Sequence, residues 1–172
     1  GYYLKKALME ELPLRDAAKG WDRTEEADGP LAWEIRATAT ARNLIVKCLF
    51  EAISVYGQDL RNEQFVGEDL ADLIIGYYGA SSALNRLLQL GDDALKDRAN
   101  VALARMVVAT FLEDVWRILF RLQPVLLSGG YARTFNETFD RKMSELRLPF
   151  NPVQEVHVLT DDLFDHGEYR FE

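Results

Sequence analysis

The stretch NEQFVGEDLADLIIGYYG, residues 62–79, holds four carboxylates, two adjacent tyrosines and three glycines. Its apolar residues recur at helical spacing: Val66, Leu70, Leu73, Ile74 and Tyr77, followed beyond the segment by Leu84, Leu87 and Leu88. Steps of three and four place them on one helix face. Two readings compete. Glu68 and Asp72 stand one turn apart, as metal-binding helices require, while a glycine-bearing apolar stripe is equally what two closely packed helices require.

The metal reading needs partners that the chain does not supply. A di-iron bundle uses Glu-x-x-His twice, because residues i and i+3 converge on one metal. Three residues before His157 stands Gln154, and three before His166 stands Leu163. Glu63, Glu68 and Asp69 are therefore expected to be solvated carboxylates that suit the positive end of a helix dipole. Nucleophilic catalysis fares no better: Cys48 lies in the apolar run LIVKCLF without a neighbouring histidine, and Ser81-Ser82 fall mid-helix. SGGYART, residues 128–134, lacks the Lys-Ser/Thr ending of a phosphate-binding loop. No catalytic, cofactor-binding or metal-ligating residue is assigned.

The block of small residues at Gly76, Gly79, Ala80, Ser81, Ser82 and Ala83 needs its own explanation. Each mid-helix glycine costs about 1 kcal/mol of helix propensity relative to alanine, so something must offset it. Close approach of another helix, with Gly76 and Ala80 one turn apart, is the simplest compensation, and it can lie within the chain or across a dimer. Gly76, Gly79, Ala80 and Ala83 are the candidate packing or interface residues.

Working outward, the same periodicity predicts an all-α, antiparallel up-and-down bundle of about four helices. Gly29-Pro30 opens the first, which runs through Ile35, Ile45, Leu49 and Tyr56 to Gly57. Asn62 caps the second, which ends at Gly91. Asp92 or Asp93 caps a third that repeats from Val101 through Leu122 to Pro124, and Phe135, Phe139, Met143 and Leu146 mark a fourth. Residues 1–30 read as a short helix ended by Pro13 plus a charged linker, residues 31–148 as the bundle, and residues 149–172, with a β-like VHVL, as an irregular, extended acidic arm.

At 172 residues the chain can bury roughly 70% of its unfolded surface and needs no disulfide. Its one cysteine reads as a buried free thiol. With 28 acidic against 20 basic residues, the formal charge of −8 repels nucleic-acid backbones and anionic lipid alike, so neither partner is expected. Without an apolar run long enough to span a bilayer, a cytoplasmic or matrix-side location is expected.

Two segments carry a resemblance. GYYLKKALMEELPL, residues 1–14, is similar in spacing and type to the segment that follows the catalytic glutamate of acyl-CoA dehydrogenases. NEQFVGEDLADLIIGYYGASSALNRLL, residues 62–88, resembles the helical extension of the very-long-chain members, at Asn62, Glu63, Gln64, Phe65, Leu70, Ala71, Asp72, Ile75 and Tyr77, with Arg86 keeping an arginine position. The resemblance implies a non-catalytic C-terminal domain that supports subunit association and covers part of an upstream dehydrogenase core acting in fatty-acid β-oxidation. FAD would belong to that parent protein and not to this chain, whose fragment alone is expected to be inactive. A homodimer is implied. The linker of residues 15–30 is short and acidic at its end where very-long-chain members carry a longer basic and apolar segment, so membrane association is not carried over. The competing class is a free-standing helical ligand-sensing or adaptor domain, which would need an internal pocket.

Overall fold

A computed structural model describes residues 28–126 and 132–166, with the backbone alone described for residues 132–138 and 166. The helix expected over residues 2–12 and most of the linker lie outside the described residues. The described residues form an all-α fold: α1 (Ala32–Tyr56), a 3-10 turn (Gly57–Asn62), α2 (Gln64–Leu90), α3 (Asp92–Lys96), α4 (Arg98–Leu126), α5 (Ala132–Glu145) and α6 (Pro152–His166). Among them, no helix is long and apolar enough to cross a membrane.

Local chemistry explains most of the boundaries and shifts some from their expected places. Pro30 belongs to the turn before α1, where the Ala32 amide donates to the Gly29 carbonyl at 3.2 Å. Gly57, at φ +56°, ends α1 in a conformation that costs a residue without a Cβ little. The 3-10 turn then takes up Asn62, so α2 starts behind Glu63 without a side-chain cap. Gly91, at φ +86°, closes α2. The expected third helix is broken at Asp97, whose backbone is extended and whose Oδ1 accepts the Ala99 amide at 2.9 Å. Asp97, not Asp92 or Asp93, therefore starts the long helix. That helix also runs past Pro124 to Leu126. The proline removes only the N–H that would reach the carbonyl of Phe120, and both residues face solvent, where water can satisfy that carbonyl.

The irregular arm expected after Leu148 is corrected to a helix. Asn151 Oδ1 accepts the Val153 amide at 3.0 Å and Pro152 occupies the first helical position, a pairing that starts helices efficiently. Alternation in VHVL suggested a strand, yet Glu155, Val158, Leu159 and Asp162 form a half-buried stripe at helical spacing.

α4 is the hub, packing against α1, α2 and α6, while α5 packs on α1. Its stripe of Val108, Phe111, Leu112, Val115, Ile118, Leu119 and Leu122 is buried against Leu44 and Cys48 of α1 and Leu70, Leu73 and Leu84 of α2 in one core. Phe139, Met143 and Leu146 belong to the same core. Two ion clusters sit at the edge of this core. Asp69, expected to be solvated, is only 2% exposed, because it shares the buried stripe with Val66 and Leu73. Its carboxylate takes both Nε, at 3.0 Å, and Nη2 of Arg121, whose guanidinium lies 4.7 Å from the centre of the Phe65 ring. Arg105 of α4 likewise joins buried Glu34 of α1 at 3.0 Å to Glu155 of α6 at 3.1 Å.

The Asp69–Arg121 pair is asymmetric, since the Asp69 side chain is 3% exposed and that of Arg121 42%. Arg121→Ala strands a carboxylate inside and is expected to cost about 3 kcal/mol. Asp69→Asn leaves a cation that water can solvate, and should cost less than half as much. Urea melts of both variants measure the difference; equal losses would contradict the assignment of Asp69 as the buried partner.

Candidate functional site

The small-residue block of α2 divides between two surfaces. Ala80 is buried on the core stripe, and Gly76 lies where α2 crosses α4: a Cβ built on it would stand 3.0 Å from Cδ2 of Phe111. The neighbouring Tyr77 ring packs at 56° to Phe111, centroids 6.4 Å apart. Ala83 is half-buried. Gly79 is exposed, and a Cβ there would meet no atom within 4 Å. Helical phase decides this: Gly76 and Ala80 are one turn apart on the inner side, whereas Gly79 stands a further 100° from Ala80 towards solvent.

Between the two helices runs an open groove of about 350 Å³, walled by Gly76, Gly79 and Ala80 of α2 and by Met106, Val107, Thr110, Phe111 and Asp114 of α4. It exists because glycine leaves a recess where a side chain would otherwise stand. Beside it, Ile75 and Tyr78 point outward at 68% and 73% exposure, with Ile74 also exposed. Glu68 and Asp72 are exposed on the same outer side. Among the described residues no group of three His, Cys, Asp or Glu side chains could hold a metal ion.

Nucleophilic chemistry is also poorly provided for at the residues weighed in the sequence. The Ser81 hydroxyl donates back to the Tyr78 carbonyl at 3.2 Å. Cys48 is buried, and its thiol is pushed up from 9.0 to about 12, first by burial, then by the Glu51 carboxylate, with Lys47 opposing. A thiol held protonated in this way is inert. What the sequence reading missed is the pair of ion clusters around Arg121 and Arg105. A signal was present in the spacing: Asp69 falls between Val66 and Leu73, and Glu34 between Leu31 and Ala37, on otherwise apolar stripes. A carboxylate on such a stripe needs a cation from another helix.

Comparison with known proteins adds a fold. No family model and no curated protein sequence matches the chain. The fold recurs in part of a solved acyl-CoA dehydrogenase. That structure is of the acyl-CoA dehydrogenase complexed with FAD from Bacillus anthracis, with a TM-score of 0.71 and 20% sequence identity. The similarity covers 96% of this chain and 29% of that chain, so this chain spans less than a third of that protein's length. At this identity the likeness is one of fold.

Two glycines of the block, three residues apart, should respond with opposite signs. Gly76→Leu forces a side chain against Phe111 and is expected to cost about 1 to 3 kcal/mol by overpacking. Gly79→Ala adds a methyl in open space and should stabilise by up to about 1 kcal/mol through helix propensity. Thermal melts of both variants read the signs directly.

Cys48 gives a pH test. The folded thiol keeps its proton to about pH 12 while the unfolded one loses it above about 9, so the folded state binds more protons in that window. Stability contributed by this group is therefore lost as pH rises from about 9 towards 12. Denaturation of wild type and Cys48→Ala at neutral pH and near pH 10.5 should show a shallower alkaline decline in the variant. Parallel declines would show that Cys48 titrates alike in both states.

Proposed function

We propose that this chain is the C-terminal helical domain of an FAD-dependent acyl-CoA dehydrogenase, resembling the extension of the very-long-chain members. In this reading it has no catalytic group of its own; it packs on an upstream dehydrogenase core and supports subunit association. The chemistry would belong to that core, where a glutamate removes the α-proton of an acyl-CoA thioester and FAD accepts the β-hydride. The observation that carries the proposal is a convergence. Of the matched residues, Gln64, Phe65 and Leu70–Asp72 lie on α2, the helix packed on the hub, and Asn62 and Glu63 lead into it, in a bundle whose fold recurs within an FAD-bound acyl-CoA dehydrogenase. Fatty-acid β-oxidation, FAD in the parent protein and a location in the cytoplasm or on the matrix side all follow from this reading.

The reading frame upstream of Gly1 tests it. That frame should encode a flavin-binding domain and place a glutamate about ten residues before Gly1, and the longer protein should purify yellow and reduce a dye acceptor with an acyl-CoA. The 172-residue chain alone should bind no FAD and show no turnover. A DNA-binding or unrelated segment upstream, or stoichiometric flavin in the short chain, would overturn the proposal.

A further inference from the structure

We propose that the outward face of α2 docks a second copy of this chain, laid antiparallel across it about a two-fold axis near residue 77. This does not rest on the function proposed above.

On the side of α2 opposite the core, Ile74, Ile75 and Tyr78 present adjoining apolar side chains to solvent. Immediately beside them the groove at Gly76, Gly79 and Ala80 forms a recess that no described residue fills within 4 Å of a Cβ at Gly79. Protrusion and recess on one surface are the components of an isologous contact, in which the same patch serves both partners. A partner helix running antiparallel, centred at residue 77, brings each Ile75 over the other copy's Gly79.

Charge sets the register. At a net charge of −8 the chain repels its own copy unless acidic groups on the contact face are matched. Glu68 and Arg86 are 18 residues apart, which at 3.6 residues per turn is five whole turns, so both lie on one line along the helix, about 27 Å apart. Ile75 and Gly79 lie to either side of that line. Both charged residues are exposed, and neither forms an ion pair with another described residue. The same two-fold operation that seats Ile75 over Gly79 sets each Glu68 opposite the other copy's Arg86. It also places Asp72 opposite Ser82, away from another carboxylate. An unrelated partner would have no need of acidic and basic residues placed symmetrically about the apolar centre. One helix face is a contact at the small end of stable interfaces, which suits association in the micromolar range.

Sedimentation velocity of the 172-residue chain across the micromolar range is the test. The expected result is a dimer that Glu68→Arg or Arg86→Glu alone weakens about tenfold or more, and that the double swap E68R/R86E restores. Gly79→Leu, whose Cβ would meet no described atom within 4 Å, should abolish the dimer while leaving the chain folded by circular dichroism. A wild-type monomer throughout that range would overturn the proposal. So would a dimer indifferent to all these variants, which must use another surface, or a longer protein in which upstream residues shield Ile75 and Tyr78 within one chain. The flavin content of that longer protein decides the proposed function separately, whatever the mass of this chain.

Discussion

The close approach of α2 to α4 is the contact on which the remaining structure depends. At Gly76 a single absent side chain leaves Phe111 of α4 room to lie against the backbone of α2. The missing propensity of that glycine, about 1 kcal/mol, is offset by burying an aromatic ring and the leucines aligned with it, each worth about 1.5 to 3 kcal/mol. Once α2 and α4 lie this close, α1 fills the angle between them and α6 takes a further face of α4.

Charged residues specify which helices meet. Arg105 reaches Glu34 on α1 and Glu155 on α6, joining three helices through one side chain. Arg121 holds Asp69 of α2 with two parallel hydrogen bonds while its flat face covers Phe65. Such pairs add little net stability against apolar replacements, but any alternative packing that separates them strands a buried carboxylate. A planar fork with several donors is better suited to this task than an ammonium, and arginine supplies both clusters.

The function proposed for the bundle fits this division. Its interior is apolar and cross-braced, its one thiol is protonated and buried, and its outer α2 face carries apolar side chains that a self-contained module would ordinarily cover. These properties are compatible with the contact role proposed for it. A bundle of the same fold recurs within part of an acyl-CoA dehydrogenase complexed with FAD.

Periodicity was enough to read the α1, α2 and long α4 helices, the stops at Gly57 and Gly91, the buried thiol and the tight spacing of Gly76 with Ala80, because these follow from residues three or four apart and from glycine's freedom at positive φ. The sequence by itself thus determined the helices and their apolar stripes. Tertiary structure alone decided the rest. Asp69 looked like a surface carboxylate, and the pairing of Glu34 went unread, because their cations lie 52 and 71 residues away on α4, beyond any local window. VHVL looked like a strand because alternation over four residues is ambiguous, and only the surface of α4, with Arg105 waiting for Glu155, resolves it as helix. Gly76 and Gly79 are chemically identical and three residues apart. One meets a phenyl ring and the other meets solvent, because the direction from which α4 approaches is a property of the packed chain and not of either residue.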